Sequence, residues 1–379
     1  MANKPVILTF IGYYLPGYKS GGPVRTISNM LKLLANKYVF KIITRDRDLL
    51  EKKQYKNIKV NEWNLLPDCQ VFYYNLKQSL SKIINSTNFD VYYLNSLFDY
   101  NFSIKVILLH RLKLIPHRQI ILAPRGELFE AAISNKFLLK KLYLFVVKVL
   151  SLYKDVIWHA SSEYEENLIK KEFGQKIKTR VALDVPYDSF EKKIQRVHKK
   201  KNGELKILFI SRIAKTKNLK FVIKVLNSVN GNFSLDIYGP IVDRKYWIEC
   251  NRLISPNIKD KISYKGVIDN AEISSIYPNY DLLFFPTLGE SFGHVIFESL
   301  SFGTPVLCAD LTPWQNLEKY NAGWNLNLND FSNYVKLIEY LISIDELSYK
   351  KFIDGCEDYI NMFMIEKNIL QNNIKLFEI

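Results

Sequence analysis

Two carboxylates stand eight positions apart in the stretch PTLGESFGHVIFE, residues 286–298. Glu290 precedes a turn that contains Gly293, and Glu298 falls inside the helix expected to begin there, because eight residues span slightly more than two helical turns. The preceding run, YDLLFFP (280–286), is short, continuous and apolar, which predicts a buried parallel strand. A strand, a tight turn and a helix N-terminus together form a place where anions bind. Alone, the two carboxylates also fit the acid pair of a hydrolase.

Cationic side chains follow a second predicted strand, LKILFI (205–210). Arg212 and Lys217 lie between the end of this strand and the start of a predicted helix, with Lys215 as a weaker third candidate. A diphosphate would lie there, since Arg offers a fork of donors for paired oxygens and Lys a mobile point charge. Ordinary surface cations are an equal alternative on spacing alone. With cations in the same half, we favour carboxylates that bind hydroxyl groups over a hydrolase pair.

These residue types suit the transfer of a sugar from a diphosphate. Breaking that bond develops positive charge on the sugar and negative charge on the leaving group, which cations and a helix N-terminus stabilise. The sequence has no Asp-rich cluster for a divalent ion, so we predict no metal and no cofactor, and we expect Arg212 and Lys217 to replace the ion. If configuration is retained without a covalent sugar, the departing phosphate deprotonates the acceptor and no dedicated base is needed.

Polar residues also end the predicted strands of the first half. After a strand at 5–11, Gly21 and Gly22 precede a Pro-initiated amphipathic helix, which predicts either a backbone turn that approaches a phosphate or sugar, or only a tight turn. Asn95 ends the strand at 90–95, and Arg125 and Glu127 follow QIILA (119–123). The carboxyl ends of strands hold ligands in doubly wound folds, so these are candidate site residues. A surface salt bridge is the alternative for Arg125 and Glu127.

Composition indicates a globular protein of two or three domains, because the chain has 379 residues, of which 48% are hydrophobic and 24% charged. The four cysteines are scattered, as expected for free buried thiols. Residues 1–190 contain 29 Lys and Arg against 16 Asp and Glu, a net charge of +13 out of +15 for the chain. A basic half predicts an anionic partner: a nucleic acid, an anionic membrane or a phosphate-bearing substrate.

One lysine-rich segment raises the question of a membrane. SNKFLLKKLYLFVVKVLSLY (134–153) predicts a helix with too many lysines for a membrane span. The pattern suits a helix at a lipid headgroup surface. It equally suits a helix that faces the core with extended lysine stems. Nowhere do eighteen uncharged apolar residues run together, so we expect no spanning segment. The opening residues, which lack the features of a signal peptide, are interpreted as the first strand.

The strand pattern restarts after a polar, Lys-rich stretch, which predicts two α/β halves. We predict an N-terminal domain at 1–188, a linker at 189–203 and a C-terminal domain at 204–359, with a helix at about 360–379 that packs back on the first domain. The predicted strands are 5–11, 38–44, 58–60, 71–74, 90–95, 119–123, 156–160, 205–210, 234–238, 262–267, 280–286 and 305–309. The fold class is α/β, with two Rossmann-like doubly wound domains.

The second half resembles the retaining nucleotide-sugar glycosyltransferases of glycosyltransferase family 4. SRIAKTKN (211–218) is similar to the family's Gly/Ser-Arg-x-x-x-x-Lys-Gly/Asn segment. The block KGVIDNAEISSIYPNYDLLFFPTLGESFGHVIFESLSFGTPVLCAD (265–310) resembles its signature, including the Glu-x7-Glu pair. GGPVR (21–25) and APRGE (123–127) resemble weaker patterns of its first domain. The resemblance implies the GT-B architecture, in which two doubly wound domains face a central cleft, the first binding the acceptor and the second the donor.

The resemblance also implies roles for individual residues. Arg212 and Lys217 would hold the donor diphosphate, and Glu298 the ribose hydroxyls. Glu290 would meet the transferred sugar, together with the backbone of Phe292, Gly293 and His294. Catalysis would rest on Glu290, Arg212 and Lys217.

Further positions follow from the same resemblance. Val267 and Ile268 would line the base pocket, and Gly22 would contact the donor phosphates from the other side. Asn95 stands where many members have a His, and Arg125 where other members use one. No catalytic His is therefore assigned, and these two residues with Glu127 become candidates on the acceptor side.

We thus expect a retaining hexosyl- or glycosyltransferase that uses a nucleotide sugar as co-substrate. We expect this donor to be a UDP-sugar. The acceptor would be a lipid-linked or other oligosaccharide in bacterial polysaccharide, O-antigen, lipopolysaccharide or capsule biosynthesis. The protein would be cytoplasmic and peripheral, on an anionic membrane surface. One alternative is a nucleotide-sugar epimerase of the same fold. Another is a nucleic-acid-binding protein built on the basic half, but residues 286–298 have no role in it, so we expect no nucleic acid as partner.

Overall fold

The computed structural model describes residues 4–134, 137–185, 199–268 and 272–378. The chain divides into two compact units, one formed by Met1–Pro186 with Asn368–Ile379 and the other by Tyr187–Lys367. Most of the predicted linker at 189–203 lies outside the described residues.

The first unit is built on an eight-stranded sheet within the described residues. Its strands are β1 (Val6–Ile11), β2 (Val39–Arg45), β3 (Trp63–Leu66), β4 (Cys69–Tyr74), β5 (Val91–Asn95), β6 (Gln119–Ala123), β7 (Ile157–Ala160) and β8 (Lys178–Val181). Their order is β3-β4-β2-β1-β5-β6-β7-β8, and only β3 with β4 is antiparallel. The inner strands are almost wholly buried, as in a parallel sheet covered on both faces. The order reverses between β1 and β5, which is the switch point where doubly wound sheets hold ligands.

Helices cover this sheet. They are α1 (Gly22–Leu34), α2 (Leu80–Asn85), α3 (Lys105–Arg111), α4 (Glu130–Ser134), α5 (Phe137–Val149) and α6 (Glu163–Phe173). The amphipathic helix predicted after Gly22 is confirmed: α1 has Pro in its first turn and buries Val24, Ile27 and Met30 on one face.

The second unit has a six-stranded, fully parallel sheet within the described residues. Its strands are β9 (Glu204–Ile210), β10 (Asn232–Tyr238), β11 (Ile262–Gly266), β12 (Leu282–Phe285), β13 (Val306–Ala309) and β14 (Gly323–Leu326). Its helices are α7 (Leu219–Asn227), α8 (Arg244–Arg252), α9 (Ile273–Ile276), α10 (His294–Ser301), α11 (Phe331–Ser343) and α12 (Glu346–Lys367). The strand order is β11-β10-β9-β12-β13-β14, so its switch point lies between β9 and β12.

The last helix, α13 (Ile369–Leu376), belongs to the first unit. The hydroxyl of Tyr38 donates to the carbonyl of Ile374 at 3.1 Å, and Arg180 donates to the carbonyl of Leu376 at 2.7 Å. Arg180 thereby satisfies a carbonyl at the helix C-terminus that has no partner inside the helix. The ring of Phe377 packs edge-on against Phe40. These contacts hold the C-terminal residues against α1, β2 and β8.

Two predicted details of secondary structure differ from the structure. The segment 58–60, which was predicted to be a strand, is not one. The strand that pairs with β4 is β3, which begins a few residues after that segment. β8 and β14, of four residues each, are not among the predicted strands. β8 reads KTRV, which is short and polar because it lies at the sheet edge and needs little apolar surface. The predicted fold class, two doubly wound α/β domains, is confirmed.

Gly239 controls how closely two strand ends of the second unit approach. It follows β10 with a φ of +129°, a region that favours glycine. A Cβ added there would lie 1.9 Å from the carbonyl oxygen of Ser211, the residue after β9. No side chain fits, so Gly239 fixes the backbone immediately before Arg212.

We predict that Gly239→Ala lowers the free energy of unfolding by more than about 2 kcal/mol, because it adds both backbone strain and a clash. The matched control is Gly203→Ala, at which φ is +79° and no atom lies within 4 Å of the added Cβ. The control should lose only about 1 kcal/mol, from strain alone. Urea unfolding of both variants checks this, and equal losses would contradict the role of close approach.

Candidate functional site

The turn after β12 is shaped by Gly293. Gly293 has φ 84° and ψ 62° and immediately precedes α10, so the predicted helix start is confirmed. A Cβ on Gly293 would lie 3.2 Å from Ile296 Cδ1 and 3.6 Å from Glu290 Cγ. The indole Nε1 of Trp314 donates to the carbonyl of Phe292 and fixes the turn from the other side. The turn therefore holds Glu290 beside the start of α10.

Glu290 in this turn forms an ion pair with Lys217, which lies on the loop that follows β9. Lys217 Nζ donates to Glu290 Oε1, and the two side chains are only 14% and 12% exposed. The hydroxyl of Thr287 lies 3.2 Å from the same carboxylate oxygen. Lys217 Nζ also lies 5.6 Å from the ring centre of Phe285. A pair this enclosed is stronger than an exposed one, because solvent screens it less.

Backbone hydrogen bonds join the two loops that carry this pair. The amide of Leu288 donates to the carbonyl of Thr216 at 2.8 Å. The side-chain amide of Asn218 donates to the carbonyl of Pro286 at 3.0 Å. Asn218 itself has a φ of 60°, in the left-handed region that Asn tolerates. The loops that follow β9 and β12, on either side of the switch point, are thus one connected unit.

Arg212 is a cation of this edge for which the described residues supply no side-chain partner. Its side chain is half-buried and forms no ion pair or hydrogen bond within the part of the chain that the structure describes. Burial lowers the pKa of its guanidinium, and the negative charge of Glu290 opposes the shift. A guanidinium removed from water without a counter-charge is costly. Binding an anion at this position would remove that cost.

Glu298 lies on the second turn of α10 and is buried. The hydroxyl of Tyr277 donates to Glu298 Oε2 at 2.8 Å. His294, four residues earlier, is also buried, and its ring packs 4.8 Å from that of Phe292. Positions four apart share a helix face. His294 and Glu298 therefore lie on one face of α10.

Val267 and Ile268 follow β11 at the same carboxyl edge. Val267 is exposed and Ile268 half-buried. The carbonyl of Gly266 accepts a hydrogen bond from the amide of Gly239 at 2.8 Å, which ties the ends of β10 and β11 together. The sheet thus brings residues 267 and 268 to the edge that carries Arg212, although no contact between them is observed.

The first unit brings Asn95 and Arg125 together. Arg125 donates from Nε and Nη2 to Asn95 Oδ1 at 3.1 and 2.9 Å, and from Nη2 to Tyr93 Oη at 2.6 Å. Its Nη1 pairs with Asp184, and both side chains are buried. Thr26 on α1 donates to the other oxygen of Asp184 at 3.1 Å. The buried Arg125 is therefore neutralised by a carboxylate that sequence reasoning missed.

Glu127 does not pair with Arg125, so the surface salt bridge between them is wrong. Its carboxylate accepts hydrogen bonds from the hydroxyl of Ser96 at 2.9 Å, from the amide of Leu97 at 2.5 Å and from that of Phe98 at 3.1 Å. Burial raises the pKa of Glu127, and these hydrogen bonds oppose the shift. Glu127 thus holds the loop that follows β5. Gly22 begins α1, after Gly21 at φ 73°.

His159 completes the network behind Arg125, and sequence reasoning gave it no role. Its Nε2 lies 2.8 Å from the carbonyl of Ala182, which only accepts, so Nε2 carries the proton. Its Nδ1 then accepts from the hydroxyl of Tyr93 at 2.8 Å. Burial, followed by the charge of Arg125, lowers the pKa of His159 to about 3. The imidazole is neutral and structural, and its place inside the buried strand VIWHA was the available signal.

No group of three or more His, Cys, Asp or Glu side chains among the described residues is arranged to hold a metal ion.

Part of the chain matches a known protein family. Residues 190–354 match the family described as "Glycosyl transferases group 1". A protein of the cps region of Klebsiella pneumoniae, described as uncharacterized, is 22% identical over 303 residues, which are 78% of this chain and 81% of that protein. The capsular polysaccharide biosynthesis glycosyltransferase CapM of Staphylococcus aureus is 26% identical over 40% of each chain.

A solved structure extends the likeness over the whole fold. Anabaena Alr3699/HepE, crystallised in complex with UDP-glucose, superposes with a TM-score of 0.71 at 15% identity, and the match covers 98% of both chains. The two parallel-sheet α/β domains are those of GT-B glycosyltransferases. The chain is a glycosyltransferase, as the sequence led us to expect.

The neutral state of His159 predicts a pH dependence of stability. Its pKa of about 3 lies below the value near 6.5 of an unfolded His, so the unfolded chain binds the extra proton as the pH falls below 6.5. Because of this residue alone, the free energy of unfolding should fall by about 1.4 kcal/mol for each pH unit as the pH is lowered from 6 to 4. In His159→Gln the amide can keep both hydrogen bonds without titrating.

Urea unfolding of the wild type and His159→Gln from pH 7 to pH 4.5 measures the difference. We expect the wild type to lose stability relative to the variant by about 2.5 kcal/mol over this range. Stability curves that stay parallel would show that the imidazole is not held neutral.

Proposed function

We propose that the chain transfers a sugar, with retention of configuration, from a nucleoside-diphosphate donor to a hydroxyl of a saccharide acceptor. The observation that carries this proposal is the half-buried Arg212, which has no side-chain partner among the described residues, near the Lys217–Glu290 ion pair and the start of α10. An anion of two or more charges suits this arrangement, because it can meet the guanidinium, the ammonium and the helix dipole together.

The diphosphate is the leaving group in this account. Arg212 offers two parallel donors and Lys217 a point charge, so negative charge that develops on the departing diphosphate is stabilised by fixed cations. The N-terminus of α10 adds its partial positive charge. Gly22, at the N-terminus of α1, is the donor-binding candidate of the first unit.

The carboxylates bind the sugars of the donor. Glu298 is oriented by the hydroxyl of Tyr277 and is assigned to the ribose hydroxyls. Glu290, with the backbone of residues 292–294, is assigned to the transferred sugar. Val267 and Ile268, at the end of β11, are assigned to the base. Each assignment uses a residue that lies at the carboxyl edge of the second sheet, where doubly wound folds bind nucleotides.

Glu290 has two partners in this proposal at different stages. Without donor it neutralises Lys217. With donor, the diphosphate supplies the negative charge for Lys217, and the released carboxylate accepts hydrogen bonds from sugar hydroxyls. The exchange keeps both buried charges paired before and after binding, which is the condition for burying them.

Retention fits the absence of an assigned base. The ring of His159 is neutral and fully engaged in the first unit. If the departing phosphate takes the proton of the acceptor on the same face, no side chain has to do so. Asn95, Arg125 and Glu127 then act on the acceptor side by holding the loops after β5, β6 and β8, because their polar groups are engaged with one another or with those loops.

The relatives suggest the biological setting. One lies in a cps region and another is named for capsular polysaccharide biosynthesis, so we propose that the product is a bacterial surface polysaccharide such as capsule, O-antigen or lipopolysaccharide. The UDP-glucose in the HepE complex supports a UDP-sugar donor. A lipid-linked acceptor, with the protein peripheral on the inner face of the cytoplasmic membrane, completes the proposal.

Replacement of Arg212 tests the diphosphate site. We predict that Arg212→Met weakens UDP binding at least about 10-fold and lowers transfer by about 100- to 1,000-fold, the cost of removing one stabilising donor. Arg252→Met, on an exposed Arg of α8, is the matched control and should change neither. Calorimetry with UDP and product analysis with a labelled UDP-sugar measure both effects. Undiminished turnover in Arg212→Met would refute the assignment, and so would a labelled epimer in place of a transfer product.

Glu290→Gln tests the exchange of partners. We predict that this variant binds UDP as tightly as the wild type or up to about 10-fold more tightly, because Lys217 no longer has a competing carboxylate. Its transfer rate should nevertheless fall by at least about 100-fold. Lys217→Ala should lose both UDP binding and transfer. Weaker UDP binding in Glu290→Gln would show that Glu290 acts on the nucleotide itself.

A further inference from the structure

Helix α5 of the first unit presents an apolar face to solvent. Leu138, Leu142 and Phe145 are 80%, 61% and 65% exposed. Further large apolar side chains at the same helix are exposed as well: Phe137, Leu139, Val146, Val149 and Leu150. Scattered exposed apolar residues are ordinary, but a contiguous set marks an interaction surface.

All of these exposed residues except Phe137 form one stripe. At about 100° per residue, the side chains of 138, 139, 142, 145, 146, 149 and 150 fall within an arc of about 140°. Leu144 and Val147, on the opposite side, are the buried residues of the helix. The helix is thus attached to the first unit by its narrow buried side and turns its wider apolar side outward. The expectation of a helix that faces the core describes only that buried side.

Positive charge flanks the stripe. Residues 131–154 contain five lysines and no Asp or Glu. Lys141 and Lys154 are exposed, and Lys141 Nζ lies 5.8 Å from the ring centre of Phe137. Lys148 pairs with Glu172. Cations beside an apolar stripe match a surface that carries phosphate groups over hydrocarbon, whereas a purely protein partner would need matching acidic groups.

The neighbouring loop adds to the same surface. Leu112 and Leu114, which follow α3, are exposed. Arg111 donates to the carbonyl of Leu152 at 3.0 Å, so this loop is held at the C-terminal end of α5. Lys113, between the two leucines, is exposed too. Apolar and basic side chains therefore recur together at this end of the helix.

The length of α5 decides how it meets a membrane. Its 13 residues measure about 20 Å, less than the roughly 30 Å of a bilayer's hydrocarbon. No helix among the described residues is long and apolar enough to cross a membrane. The helix therefore suits the headgroup boundary.

We propose that the outer face of α5 docks the protein on an anionic lipid bilayer, with Leu138, Leu142 and Phe145 inserted among the acyl chains and Lys141 and Lys154 at the phosphates. The inference deepens the proposed function and rests on it for its purpose, since an acceptor anchored in lipid is reached only at the membrane surface. The physical argument for docking stands on α5 alone.

Vesicle sedimentation tests the proposal. The wild type should bind vesicles of phosphatidylethanolamine and phosphatidylglycerol, and this binding should weaken at high salt. It should bind vesicles of phosphatidylcholine much more weakly. The triple variant Leu138→Gln, Leu142→Gln, Phe145→Gln should lose at least about 100-fold in affinity. Lys141→Gln and Lys154→Gln should each lose about five-fold.

A matched triple variant controls for lost apolar surface. Leu65, Leu347 and Ile365 are 84%, 81% and 80% exposed elsewhere on the chain, and their replacement by Gln should leave vesicle binding unchanged. Equal binding by the α5 triple variant and the wild type, or no binding of the wild type to anionic vesicles, would overturn the proposal. A wild-type dimer in sedimentation equilibrium that the α5 triple variant disperses would overturn it too, in favour of a second copy.

UDP calorimetry on the α5 triple variant keeps this test separate from the proposed function. We expect unchanged UDP affinity together with lost vesicle binding. If the variant loses UDP affinity as well, its fold is damaged, and Lys141→Gln and Lys154→Gln decide instead: vesicle binding unchanged in both would refute the docking face. If the wild type binds vesicles but not UDP, docking stands and the transferase proposal fails.

Discussion

The ion pair between Lys217 and Glu290 joins the loops that follow β9 and β12. These two strands are neighbours in the second sheet, although Lys217 and Glu290 are 73 residues apart in the sequence. Because the strands are parallel, their carboxyl ends meet at one edge and the loops can pair. Hydrogen bonds between Leu288 and Thr216, and between Asn218 and Pro286, fix the same contact. Arg212 lies on the first of these two loops, five residues before Lys217.

Charge balance separates the two candidate sites. In the first unit, Arg125 is neutralised by Asp184 and further engaged by Asn95 and Tyr93, so its burial is stable without a ligand. In the second unit, Lys217 is neutralised by Glu290 and Arg212 remains unpaired among the described residues. The difference is one uncompensated positive charge. That charge is our reason for placing the diphosphate at Arg212 and for giving Arg125 a positioning role.

Sequence reasoning located much of this and missed what depends on distant partners. The strand-end rule selected Asn95, Arg125 and Arg212 because each is a polar residue at the end of a short apolar run. It missed the partner of Arg125, since Asp184 is 59 residues away and follows β8, a short polar edge strand. It gave no role to His159, which ends an apolar run and whose pKa depends on tertiary burial. It did not decide whether α5 faces the core or a membrane surface. Periodicity alone does not show which side of a helix with two apolar faces is covered by the rest of the protein.

The most direct test of the central claim is a structure of the protein with UDP bound. The account predicts that the diphosphate oxygens contact the guanidinium of Arg212 and the ammonium of Lys217, and that Glu290 has left Lys217. A complex in which UDP is bound while Arg212 makes no contact with the diphosphate would contradict it, as would one in which the Lys217–Glu290 pair stays closed.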